Sequence, residues 1–177
     1  LAIGTNEQIA VAWQKYAPHH DIETITELIN TVGKSAATFT AKPVIDLQKT
    51  IFKFAKEDLK IGLATSDSYD SAIATLGPFN ILDHFDFICG YDSGYGVKPD
   101  GGMVLGFCEH TGVDPSEVVV VGDNAHDMEM AVAANVILRV GVLTGTSSEQ
   151  ELAALADVVI PSISDLSAII DQFNAGE

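Results

Sequence analysis

Positive charge is what this chain has least of. Nine Lys and Arg stand against 25 Asp and Glu in 177 residues, a formal net charge of −16. Nucleic acid and anionic membrane surfaces both need basic protein surface, so neither is an expected partner. Cysteine is scarcer still. Cys89 and Cys108 lack C-x-x-C spacing and a paired His, and both lie in apolar surroundings. This argues against a disulfide framework or a thiolate metal site. The two read as small buried hydrophobes in a reducing, cytoplasmic compartment. No apolar run reaches the ~20 residues that cross a bilayer, and no secretory leader is legible. Position 1 is Leu rather than Met, so we expect the native N-terminus to be absent.

What remains is an ordinary globular composition, 47% apolar and 19% charged, in a length that suits one domain or one domain plus a small insert. Helical periodicity opens the chain at "NEQIAVAWQKYA" (Asn6–Ala17) and "DIETITELINTV" (Asp21–Val32), with Asp21 placed to cap the second. "GKSAATFTAKP" reads as a polar connector. "PVIDLQKTIFKFAKED" reads as a helix with Pro43 in its first turn. From there strands and helices alternate. The strands are "LKIGLATSDS", "DFICGYD", "EVVVVGD", "VILRVGVLTG" and "DVVIPS", with helical patterns between and after them. The strands are near-continuous apolar runs, which suits a parallel sheet covered on both faces. The expected fold is α/β, a doubly wound, Rossmann-like parallel sheet with helices on both faces. Residues 1–42 are expected to stand apart as a partial helical cap, and residues 43–177 to form the core.

Ligands of open parallel sheets bind beyond the carboxyl ends of the strands. Two such ends and one glycine-rich loop carry chemistry. Asp123 and Asp127 form G-D-x-x-x-D after a valine run. Two carboxylates there suit a hard divalent cation such as Mg²⁺, with Asp123 reaching it directly or through water and Asp127 holding a bound water or orienting a neighbour. The alternative is that Asp123 or Asn124 merely caps the next helix. Thr65 and Ser66 end another strand, where hydroxyls and backbone N–H groups can take a phosphate. The alternative is a plain turn, with Ser68 or Asp70 starting the next helix. Lys98 lies in "SGYGVKPDGG", where Gly94 and Gly96 permit unusual turns and Pro99 restricts the residue before it. It reads either as a point charge for phosphate or as a solvated surface lysine.

The order of these signals is more specific than any one of them. "IGLATSDS", "GVKPDGGMVLGFCEHTGVDPSEVVVVGDNAHDMEMAVAANV" and "GVLTGTSSEQELAALADVVIPSISDL" resemble the second motif, the third and fourth motifs, and the tail of the haloacid dehalogenase-like hydrolase superfamily, in its phosphoglycolate phosphatase-like branch. The resemblance runs from Pro43 to Ile170. The opening helices resemble, more loosely, part of the helical cap of such proteins. The resemblance implies a cytoplasmic, Mg²⁺-dependent phosphatase acting on a small phosphoester such as phosphoglycolate. Thr65 would hydrogen-bond the transferring phosphoryl group and Ser66 would help bind it. Lys98 would neutralise charge, Asp123 would ligate Mg²⁺, and Asp127 would support both the metal and Lys98.

One part of the pattern is not in the sequence. The family's first motif, a strand ending in Asp-x-Asp-Gly-Thr, supplies the nucleophile and the general acid/base. The nearest text, "LAIGT", has Leu1 and Ile3 where the carboxylates would stand. The expected reason is that residues are missing at the front and in the cap. A non-catalytic relative that binds phosphate or a partner, or a second chain supplying the strand, are the alternatives. Two smaller departures are Asn135 in place of a usual Gly, which tolerates the left-handed conformation, and Gly101 in place of a usual Pro. Gly33–Ser35 ("GKS") lacks the first Gly and the preceding strand of a phosphate-binding loop. His19 and His20 read as surface, His126 as exposed near the site, and Trp13 as core or cap packing. Oligomeric state is not legible.

Overall fold

The computed structural model describes residues 5–40 and 42–175. The order of elements is α/β as expected. Helix α1 (Asn6–Gln14) starts at Thr5, whose hydroxyl and the Gln8 side chain form a reciprocal capping box. Helix α2 (Ile22–Thr40) starts beyond Asp21, whose Oδ1 accepts from the Thr24 amide at 2.7 Å. It runs on through the stretch expected to be a connector. The reason is local: nothing from Gly33 to Thr40 is a proline, and Ala36–Ala37 are strong helix formers, so the helix continues toward Pro43. Helix α3 (Leu47–Lys56) begins four residues after Pro43, immediately past Asp46. The proline is therefore not in its first turn, and a better capping residue stands nearer. The "LAIGT" stretch lies, but for Thr5, outside the described residues.

The chain divides into two compact units. The first is Leu1–Pro43 with Leu47–Val97, and the second is Val44–Asp46 with Lys98–Glu177. In the first, α1 packs on α2 and α2 on α4 (Tyr69–Leu76). Strands β1 (Gly62–Ala64) and β2 (Phe87–Cys89) pair in parallel, Leu63 opposite Ile88. Buried Ala10, Ile25, Ile51, Phe54, Ile81 and Phe87 supply its core. In the second, β3 (Val119–Gly122), β4 (Leu138–Val142) and β5 (Val158–Ile160) form a parallel sheet in the order β3-β4-β5. Around it lie α5 (Gly102–Thr111), α6 (Ala125–Ala133), α7 (Glu149–Ala153) and α8 (Leu166–Ala175). Its core includes Met103, Val120, Met128, Val140, Leu152 and Ile160. Cys89 and Cys108 are both buried, and burial pushes the Cys108 thiol above its ordinary range.

The two sheets share a device at the ends where their strands begin. Ahead of β2, Asp86 accepts from the Ile61 amide at 2.9 Å and from Lys60 Nζ at 3.0 Å, and returns its own amide to the Ile61 carbonyl. Ahead of β5, Asp157 accepts from the Arg139 amide at 2.8 Å and from both arms of the Arg139 guanidinium, and returns its amide to the Arg139 carbonyl. The Arg139 guanidinium holds the Asp157 carboxyl below the usual carboxylate range, outweighing desolvation. Each clamp fixes register at the end of its own sheet where the strands begin. Among the described residues no helix is long and apolar enough to cross a membrane.

Candidate active site

The charged cluster is built at the carboxyl end of β3. Gly122 is in register with Gly141 of β4, so the loops after the two strands leave side by side. Asn124 caps α6: its side-chain oxygen accepts from the His126 and Asp127 amides. Asp127 completes the capping box, its Oδ2 accepting from the Asp123 amide at 3.1 Å and the Asn124 amide at 3.2 Å. The capping alternative is thus correct for Asn124, yet it does not displace the chemistry. Asp127 Oδ1 lies 2.5 Å from Lys98 Nζ, and the side chains are only 6% and 11% exposed. Lys98 is therefore not a solvated surface lysine. It is half of a nearly buried ion pair whose anion is also held by two backbone donors, the kind of partnering that a charge out of water requires.

Asp123 is presented differently. It is half-buried, and its Oδ2 accepts from the Thr146 amide at 3.2 Å. The Ser147 amide donates to its carbonyl at 3.2 Å. Among the described residues its Oδ1 accepts no hydrogen bond. The donor set suits Mg²⁺, which takes oxygen ligands and keeps several waters. Asp123 has an oxygen to give, whereas both oxygens of Asp127 are already bonded. Among the described residues no three His, Cys, Asp or Glu side chains come together as a metal cluster. Asp127 orders its neighbours through both oxygens, its Oδ1 keeps a lone pair beyond the Lys98 bond, and Asp123 has an oxygen with no bond at all.

Thr65 and Ser66 lie in the other unit, just past β1. The Thr65 amide extends the ladder by donating to the Cys89 carbonyl at 3.0 Å, and the Tyr91 amide donates to the Asp67 carbonyl at 3.0 Å. Thr65 Oγ1 accepts from the Asp67 amide at 3.1 Å, which leaves its O–H free to donate. Ser68, not Thr65 or Ser66, caps α4. The turn rests directly on Gly90, where a Cβ would come within 2.5 Å of the Asp67 carbonyl oxygen and 2.6 Å of the Ser68 carbonyl carbon.

The flanking expectations divide. Gly94 and Gly96 adopt positive φ, +87° and +80°, and Asn135 sits in the left-handed region at +54°. Gly101 leaves room for the Ala134 amide, 2.8 Å from where a Cβ would stand. His19 and His20 are exposed, and His126 is half-buried, 3.7 Å from a partly exposed Glu129. Trp13, expected in packing, is 46% exposed, beside Tyr16, His20 and Leu28 on a shallow apolar groove of α1 and α2. The α1 periodicity is real, but its buried stripe is set by Asn6 and Ala10. The loop Gly145–Ser147 holds Asp123, although Gly145 reads in the sequence as the end of a strand and Ser147 as the start of a helix; β4 ends at Val142 and α7 begins at Glu149. The signal available was a Gly just ahead of a capping Ser, Ser148, beyond a strand end.

Comparisons with known proteins bear on this arrangement. A family model described as haloacid dehalogenase-like hydrolase matches residues 3–140. Over 73 residues the chain is 40% identical to the D-glycero-beta-D-manno-heptose-1,7-bisphosphate 7-phosphatase of Escherichia coli, covering 41% of this chain and 38% of that one. Over 116 residues it is 28% identical to pyrophosphatase PpaX of Listeria monocytogenes, covering 65% and 53%. The chain spans about half the length, or less, of the curated relatives it matches. The crystal structure of a predicted phosphoglycolate phosphatase from Haemophilus somnus superposes with a TM-score of 0.80 at 18% identity, over 95% of this chain and 79% of that one. At that identity the likeness is one of fold.

Proposed function

This chain belongs to the haloacid dehalogenase-like hydrolase family, and on that premise we propose that it carries the phosphate-handling and metal-handling residues of a Mg²⁺-dependent phosphoric monoester hydrolase. The substrate proposed is a small phosphorylated metabolite such as phosphoglycolate. The observation that carries the reading is the Lys98–Asp127 pair beside a half-buried Asp123 with an oxygen to spare. A nearly buried lysine locked to a carboxylate is a poor solvated cation but a good fixed charge, and phosphoryl transfer is catalysed mostly by positioning and charge neutralisation.

The roles follow from what each group can do. Lys98 neutralises charge as the phosphoryl group moves, and Asp127 holds the lysine in place. Asp123 would ligate the cation, and Asp127 would support that metal site as well as the lysine. Mg²⁺, when bound, would supply Lewis-acid neutralisation of phosphoryl oxygens. Thr65 donates a hydrogen bond from its hydroxyl to a phosphoryl oxygen, and Ser66 adds a second donor. No Asp-x-Asp-Gly-Thr run occurs in the sequence, and no residue is assigned as the acceptor carboxylate or the acid/base. We retain residues 1–42 as part of a helical cap and residues 43–177 as the core. The expected compartment is the cytoplasm, and the expected partners are small phosphoesters rather than nucleic acid or membrane.

The test uses the protein as its gene encodes it. Phosphate release is followed over a panel of small phosphoesters, with Mg²⁺ and with a chelator. Turnover is expected with Mg²⁺ only, falling roughly 10³-fold in Asp123→Asn. If phosphate and Mg²⁺ bind without release from any phosphoester, the chain is a phosphate-binding relative without turnover, and the hydrolase reading falls.

A further inference from the structure

We infer that the loop after β4, through Gly145 and the Thr146 backbone amide, is a positioning element that sets which oxygen of Asp123 faces the cation. The inference rests on the assignment of Asp123 to the metal made above.

Three observations carry it. First, Gly145 is glycine for room, not for backbone freedom. It is not among the positive-φ glycines, so its conformation is open to any residue. Yet a Cβ there would overlap the Asp123 Cβ, Cγ and Oδ2. Second, the next residue spends its amide on that same carboxylate: Thr146 N–H donates to Asp123 Oδ2 at 3.2 Å. Third, the Ser147 amide donates to the Asp123 carbonyl at 3.2 Å, so backbone and side chain of one residue are both gripped by one loop. The loop is exposed at Gly145 and Thr146, so core packing does not explain why it comes so close. The terminal torsion of an Asp is soft and samples a broad range. Fixing Oδ2 removes that freedom and leaves Oδ1 as the oxygen on offer. Partners of this kind, which orient a ligand without touching the ion, typically change metal affinity 10- to 100-fold when lost.

The experiment measures Mg²⁺ affinity by titration calorimetry, without substrate, in the protein as its gene encodes it. Gly145→Ala is expected to weaken Mg²⁺ binding about 10- to 100-fold. Thr146→Ala keeps the amide and is expected to stay within about twofold of the parent. If Asp123→Asn weakens binding and Gly145→Ala leaves it within twofold, the positioning role is overturned while the metal assignment stands. If Asp123→Asn leaves affinity unchanged, the metal assignment falls and the inference with it. Should Gly145→Ala fail to fold, hydrogen exchange in the parent decides. The exposed Thr146 amide is expected to exchange slowly, and at least tenfold faster in Asp123→Ala. Equal rates in the two proteins overturn the inference.

Discussion

Two strand ends of this molecule hold their functional groups by opposite means. After β3, the side chains themselves are tied down. Asp127 divides its two oxygens between Lys98 and two backbone amides, and Asp123 gives one oxygen to Thr146. After β1, the backbone is tied and the side chains are left loose. The 65–69 turn is pressed onto Gly90 and laced to Cys89 and Tyr91, while Thr65 keeps its proton and Ser66 has no partner among the described residues. The difference follows from charge. A carboxylate and an ammonium out of water must be paired or the fold suffers, whereas a half-buried hydroxyl can wait for a ligand. One site is therefore part of the fold's stability, and the other is nearly separable from it.

The largest expected effect tests that contrast directly. Lys98→Met leaves the Asp127 carboxylate nearly buried with only its backbone donors. We expect a loss of about 3 kcal/mol, or a melting temperature lower by roughly 6–12 °C. Thr65→Ala should cost less than about 1 kcal/mol while weakening phosphate binding. Equal shifts in the two melting curves would erase the distinction. Next in size is Gly90→Ala, which adds a methyl against fixed backbone rather than a movable side chain. About 2–3 kcal/mol of destabilisation is expected, read as a shift in denaturant midpoint. A neutral result would mean that the hydroxyl turn is not packed as rigidly as described.

The smallest effect concerns the clamps at the opposite ends of the strands. The Asp157 carboxyl is held below its ordinary range by Arg139. A depressed carboxyl contributes stability that is present above the unfolded-state pKa, near 3.9, and is lost as pH falls through the folded value. Melting temperature should therefore decline as pH is lowered past about 4, and Asp157→Asn should flatten that decline. Both side chains are about a third exposed, so solvent screens much of the interaction and the change should be slight. An unaltered acid profile would show the clamp to be geometric only.

Strand and helix existence was legible throughout, because runs such as Val118–Val121 and caps such as Asn124 and Ser148 are local signals. Spacing singles out Asp123, Asp127 and Lys98 as candidates but leaves a helix cap or a surface lysine open, and their roles come from the resemblance. What spacing could not supply was burial. Lys98 sits in a glycine-rich, polar stretch, and only the three-dimensional path of that stretch brings its ammonium to Asp127. The length of α2 was missed because Gly33 and the polar residues after it read as a break, though no proline enforces one. Trp13 was misplaced because periodicity marks a face without saying whether that face is covered. Gly145 was invisible because a close approach to Asp123 is a relation between loops 22 residues apart, and leaves no periodic trace.

The capping box of α6 has one more consequence. Because Asp127 serves the helix start and the lysine with one carboxylate, anything that draws Lys98 aside is felt at the Asp123 and Asn124 amides. Those two backbone nitrogens are a native spectroscopic probe. In a ¹⁵N-resolved titration with inorganic phosphate, their resonances would report the movement of a charge that itself gives no convenient signal, with isotopic enrichment only and no residue changed.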